Sequence, residues 1–171
     1  MVASSCTCCG IILYLINVCF LQLGNAFDPC YEYLTISNEE KRSPFYNFDL
    51  NNGIPISDER LTQDWYRIEM NTGSLIPNQS PGAFRCGTFY PIWLNGILPS
   101  VPKVQVSRPV CVQSTENDCF QTWNINIKFC CGNYLVYELR TSLVDKSAYC
   151  FGNVSSGFNV SENNDHTCYG K

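Results

Sequence analysis

The sequence predicts a mainly β fold, a small disulfide-stapled antiparallel β domain with long loops. Three observations point there. A signal-like leader puts the cysteines in an oxidising compartment. Residues 122–129 alternate apolar and polar side chains with period two. Prolines cut the middle of the chain into pieces too short for long helices.

The leader comes first. Residues 1–26 carry no charged side chain, and Ile11 to Leu23 form an apolar run. At about 13 residues it falls short of the roughly 20 that a membrane span needs. It ends in Gly24-Asn25-Ala26, whose small residues suit signal-peptidase cleavage after Ala26. The expected layout is a signal peptide at 1–26, a cysteine-rich domain at 27–152 and a polar, glycosylatable tail at 153–171. The chain should be secreted and extracellular, with no membrane anchor of its own, since 151–171 is polar and rich in Asn and Ser.

Removing the leader takes Cys6, Cys8, Cys9 and Cys19 with it and leaves Cys30, Cys86, Cys111, Cys119, Cys130, Cys131, Cys150 and Cys168. Eight is even, so four disulfides are expected, although the spacing does not choose the pairing. A zinc site would need thiolates in C-x2-C spacing with further ligands, and His166 is the only histidine. No metal, no cofactor and no catalytic residue is expected. A net charge of −4 without a basic stripe also argues against nucleic acid as a partner.

The elements follow in order. Residues 37–58 are polar, hold Gly and Pro and lack a period, which reads as a mobile loop. Asp58–Asp64 suggests a short helical turn, and Asp64–Met70 a strand. Pro91, Pro99, Pro102 and Pro109 break the middle into extended pieces. Lys103–Arg108 reads as a strand, with Val110–Val112 a short edge. In Thr122–Phe129 the residues Trp123, Ile125, Ile127 and Phe129 alternate with Asn124, Asn126 and Lys128, the signature of a half-buried strand. Cys130 to Asn133 reads as turn material, and Tyr134–Leu139 completes a hairpin.

An ordered set of motifs runs through these elements. Phe27-Asp28-Pro29-Cys30 opens the domain, followed by Asp64-Trp65-Tyr66-Arg67-Ile68. Arg85-Cys86-Gly87-Thr88 then leads to Pro91-Ile92-Trp93-Leu94-Asn95-Gly96. Ile127-Lys128-Phe129-Cys130 and Ala148-Tyr149-Cys150 come last. In order and spacing the set resembles the uromodulin-like ten-cysteine domain family over about residues 27–152. Cys30, Cys86, Cys111, Cys119, Cys130 and Cys150 match six of that family's ten cysteines. Two that the pattern places between Cys30 and Cys86 are absent, Phe120 stands where a second vicinal Cys belongs, and Leu143–Lys146 lacks another. Cys131 and Cys168 are additional. The family's bridges therefore do not transfer as a set, and Cys130 and Cys131 are expected to bond different partners.

The resemblance implies a glycan-bearing domain able to act as a decoy for bacterial lectin-type adhesins. Asn95-Gly96-Ile97 is not a sequon, so such a role would use other sites. Asn78-Gln79-Ser80, Asn153-Val154-Ser155 and Asn159-Val160-Ser161 are sequons, the first compromised by Pro81. Trp65, Trp93 and Trp123 are expected in the core rather than as a sugar platform. Arg67, Arg85 and Arg108 read as structural hydrogen-bond donors. Asp28, Asp49, Asp58, Asp64 and Asp118 show no spacing that singles out a catalytic carboxylate pair. The expected function is a secreted, non-catalytic module for extracellular interaction or glycan presentation, with an extracellular protein or a microbial adhesin as partner. A lectin-like sugar binder and a secreted hydrolase or toxin-like effector are the alternatives.

Overall fold

The computed structural model describes residues 27–51, 53–153 and 168. The leader, Asn159 and His166 lie outside the described residues. In chain order the strands are β1 (Leu34–Ser37), β2 (Asp64–Glu69), β3 (Tyr90–Leu94), β4 (Gln105–Val112), β5 (Gln121–Cys130), β6 (Tyr134–Leu139) and β7 (Ser147–Tyr149), with a 3-10 turn at Glu40–Arg42. All seven join one sheet in the order β1-β2-β6-β5-β4-β3-β7.

The sheet grows out of the hairpin that the sequence marks most strongly. Trp123, Ile125, Ile127 and Phe129 are all buried, as period two requires. Across β5 they stand opposite Val110 and Val106 of β4, and Tyr137 and Leu135 of β6. The loop between β5 and β6 holds Gly132 and Asn133 at φ 98 and 61, the left-handed geometry of a tight hairpin connection. Tyr66 and Ile68 of β2, Ile92 and Leu94 of β3, and Tyr149 complete the main core. There Trp123 donates its indole N–H to the Tyr149 hydroxyl at 3.0 Å, with the rings edge to face. The β2-β6-β5-β4-β3 block is antiparallel, whereas β1 on β2 and β7 on β3 are parallel.

Four expectations need correction. Val110–Val112 is no edge, because β4 runs unbroken through Pro109 and lies between β5 and β3. The proline is tolerated because its carbonyl faces Asn95 just past the end of the β3 ladder at Leu94↔Val110. Its missing N–H therefore costs no ladder bond. Pro91 likewise sits inside β3, its carbonyl taking the Gln113 N–H just beyond β4. Asp58–Asp64 forms no helix, only a turn closed by Leu61 N–H on the Asp58 carbonyl.

Residues 37–58 are not a loose loop. They hold the 3-10 turn and buried Arg42, Ser43, Phe48 and Asp58. Arg42 is 4 % exposed and Asp58 2 %. The guanidinium binds both Asp58 oxygens, at 2.9 and 2.8 Å, and the Tyr149 carbonyl at 3.2 Å. The Tyr149 N–H also donates to Asp58. This buried fork ties the long connection to edge strand β7. Period counting finds no such device, because both members lie in segments without period.

Candidate functional site

The cysteines fall into a simple pattern. The six that match the family ladder pair among themselves, Cys30–Cys130, Cys86–Cys150 and Cys111–Cys119. The two additional ones pair with each other, Cys131–Cys168. Adjacent Cys130 and Cys131 thus serve different partners, one at the end of β5 and one in the hairpin loop. The second bridge brings residue 168 back to the hairpin.

The D-P-C motif works as a latch on the sheet. Asp28 accepts a hydrogen bond from Lys128 Nζ at 2.9 Å and caps the Cys30 N–H at 2.9 Å. The Tyr134 hydroxyl donates to the Cys30 carbonyl. Arg67 packs its guanidinium 4.2 Å from the Tyr134 ring centre and donates to the Tyr33 hydroxyl at 3.0 Å. The Lys128 hydrogen bond holds the Asp28 carboxyl below its ordinary value, against the partial burial that opposes it and with help from the Cys30 N–H. A lowered carboxylate pKa stabilises fully above the unfolded value, 3.8, and is lost as pH falls through the folded value. The protection factors of the Tyr31 and Glu32 amides, whose N–H groups bond the Asp28 carbonyl, should therefore fall on acidification below about pH 4, after correction for the intrinsic exchange rate. Lys128→Met should remove that acid step, and an unchanged profile would refute the assignment.

The three tryptophans separate. Trp65 and Trp123 are buried, as expected. Trp93 is not in the core: it is half-buried on the opposite sheet face, opposite Cys111, with its indole N–H on the Asp118 carbonyl at 2.8 Å. Period two explains this, since Ile92 and Leu94 take the core face and Trp93 must take the other. Asn95 follows it, exposed, in the turn after β3. Arg85 donates to the Phe45 carbonyl and Arg108 to the Ile97 and Ser107 carbonyls, structural roles in both cases.

The sequons differ in setting. Asn78 is half-buried, and the Ser80 hydroxyl is engaged by Gln113 at 2.5 Å and Asp118 at 3.1 Å. Asn153 is exposed, and its backbone is fixed against the segment that follows β2. Its N–H bonds the Thr72 carbonyl, and Gly152 bridges Leu75. Gly73, at φ 108, lets that chain approach, since a Cβ there would collide with the Asn153 nitrogen.

The five candidate aspartates do not converge. Asp28 serves the latch and Asp58 the buried fork. Asp64 accepts the Trp65 N–H, Asp49 the Asn51 N–H, and Asp118 bonds Gln113 and Ser80. Among the described residues no group of three His, Cys, Asp or Glu could hold a metal, and no helix is long and apolar enough to cross a membrane.

Comparison with known proteins joins these features to one family. The profile of the uromodulin-like D8C domain matches residues 66–151, from β2 to just past Cys150. Pancreatic secretory granule membrane major glycoprotein GP2 of Mus musculus is 32 % identical over 130 residues, 74 % of this chain and 24 % of its own length. Uromodulin of Mus musculus is 32 % identical over 123 residues, covering 72 % and 18 %. GP2 of Homo sapiens is 30 % identical over 124 residues, covering 72 % and 22 %. The chain thus spans about a quarter or less of the length of these relatives. With its profile match running through the W-L-N-G and A-Y-C blocks, the chain belongs to the uromodulin-like D8C domain family.

Proposed function

We propose that this chain is a secreted, non-catalytic glycoprotein module that presents N-linked glycans to an extracellular protein or a microbial adhesin. The observation that carries the reading is Asn153, an exposed sequon asparagine held by main-chain bonds at the edge of a disulfide-stapled sheet. A glycan there would be displayed from a fixed base and within reach of a lectin. Asn159 supplies a second acceptor in the tail. The signal peptide at 1–26 would route the chain to the compartment where these acceptors are used. The sequon at Asn78 is expected to stay empty, given Pro81.

The test is direct. Secreted protein is assayed against a panel of lectin-type adhesins before and after enzymatic removal of N-glycans, alongside Asn153→Gln/Asn159→Gln. Binding lost in both treated forms supports presentation. Deglycosylated protein that still binds a glycan array would turn the reading toward a sugar-binding domain.

A gain-of-site variant adds a second check. Ile97→Thr completes an N-x-T sequon at Asn95 on an exposed turn, and Ile97 is itself exposed, so nothing in the core is lost. Intact mass is expected to rise by one N-glycan and to fall back on enzymatic release. An unmodified Asn95 would mean that this turn is closed to the transferase.

A further inference from the structure

The two edges of the sheet end differently. Outside β7 the chain closes the edge itself. The Asp58 N–H bonds the Ser147 carbonyl and the Tyr149 N–H bonds the Asp58 carboxylate, both at 2.8 Å. The Phe151 N–H then bonds the Arg42 carbonyl at 2.9 Å. Outside β1 nothing comparable occurs. Among the described residues, the only hydrogen-bonded neighbour of Leu34–Ser37 is β2. A strand paired on one side alone turns a row of N–H and C=O groups to solvent.

β1 is also poorly defended as an edge. Leu34-Thr35-Ile36-Ser37 holds no charge and no proline, and its register on β2 is unbroken by a bulge; shortness, at four residues, is its one protection. Its two sides are distinct. Ile36 is buried in the main core, whereas Leu34, on the same side by alternation, is 46 % exposed. Thr35 and Ser37 face the other way and are exposed.

We propose that β1 is a self-association edge, on which the β1 of a second copy pairs antiparallel about a two-fold axis normal to the sheet. An open backbone edge is matched by another extended backbone, and Leu34 needs an apolar side chain facing it. β1 itself supplies both. A two-fold normal to the sheet keeps the core faces of both copies on one side, so even-numbered residues must face even-numbered ones. With Thr35 on the axis, Leu34 faces the second copy's Ile36, and the reverse contact follows by symmetry. Thr35 then faces its own equivalent, a favourable cross-strand pair, and no like charges are opposed within the paired segment. Moving the axis to Ile36 would set Leu34 against Asn38, whose φ of 59 has already left the strand. A pairing this short buries less than the roughly 800 Å² per partner of a standard interface, so the contact is weak and transient.

Glu40, just past β1, accepts the Asn71 and Thr72 N–H groups, and the Thr72 carbonyl holds Asn153. A glycan on Asn153 would therefore sit near the Ser37 end of the edge. Sedimentation velocity is accordingly run on secreted full-length chain, both glycosylated and enzymatically deglycosylated, from about 5 to about 500 μM. Thr35→Lys and Thr35→Glu are the matched variants. The side chain is exposed, so circular dichroism of each should match the parent, but on the axis each variant opposes its own charge. The expected result is a concentration-dependent dimer in at least one parent form, lost in either variant alone and recovered when the two are mixed in equal amounts. Parent protein that stays monomeric in both forms overturns the proposal. Slow amide exchange at Leu34–Ser37 in that monomer would then give the edge to another segment of the same chain. A dimer indifferent to Thr35 overturns it by placing the contact elsewhere, and a lost dimer that mixing fails to restore overturns the two-fold register on which it stands.

Discussion

Asp58→Ala is expected to cost about 3–5 kcal/mol of folding stability, the range for breaking one side of a buried ion pair. For a domain with roughly 5–15 kcal/mol in hand, that is enough to depress the yield of folded protein as well as the denaturation midpoint. The size follows from what is left behind. Arg42 keeps its charge in every accessible pH range: burial works against it, but Asp58's hydrogen bonds and charge, with Glu39, outweigh burial and push its pKa up. Without Asp58 the guanidinium keeps only the Tyr149 carbonyl and Glu39, which is itself half in solvent. The Tyr149 N–H loses its acceptor too. Arg42→Ala should be nearly as costly. The double alanine variant should be less damaging than the two single losses added together, because it removes the uncompensated charge. Urea denaturation of the three variants closes the cycle. Additive losses would mean that the two residues act independently and that the fork is not a unit.

The sequence was most informative where structure is local. The hairpin of β5 and β6 was readable because alternation, turn residues and aromatic enrichment all agree over 121–139. The even cysteine count was readable for the same reason. What escaped detection depends on distant partners. β7 has three residues, Ser147 to Tyr149, and no pattern of that length is diagnostic. It becomes a strand because Tyr90–Ile92 lies alongside it. β3 was hidden by Pro91, a residue that is acceptable only because of where the neighbouring ladder ends. Arg42 and Asp58 were hidden in a segment that reads as polar, and their meaning appears only when Tyr149 arrives from the far end of the domain. The candidate site shows the same division. Sequons are local by definition, so Asn78, Asn153 and Asn159 were legible. The difference in setting between Asn78 and Asn153 was not, since it rests on Gln113, Asp118 and Thr72. Leu34 to Ser37 were visible as letters, but their place at the open edge of the sheet was not, since it rests on β2.

The disulfides give the second large effect, and their ranking tests the pairing itself. Cys30→Ala/Cys130→Ala is expected to destabilise the domain more than Cys111→Ala/Cys119→Ala. In the chain-entropy description, closing a loop of 100 residues stabilises by about 4.7 kcal/mol and one of 8 residues by about 2.5 kcal/mol. The first figure is an upper bound here, because Cys86–Cys150 and Cys111–Cys119 already shorten the path between Cys30 and Cys130. Native contacts push the ranking the same way. Losing the long bridge frees Asp28 from Lys128 and the Cys30 carbonyl from Tyr134, while losing the short one opens a hairpin loop beside Phe120. Cys131→Ala/Cys168→Ala separates the entropic part from the native part. It closes 37 residues, so the unfolded chain should gain nearly as much freedom as in the long-bridge variant. Yet Cys131 lies in the hairpin loop, outside the buried core, and its loss should leave near-ultraviolet circular dichroism of the Trp123–Tyr149 core unchanged. Thermal denaturation under non-reducing conditions reads all three. Equal losses for the long and short bridges would refute the assigned pairing. A collapsed near-ultraviolet signal in Cys131→Ala/Cys168→Ala would mean that the tail bridge supports the sheet rather than merely holding residue 168 to it.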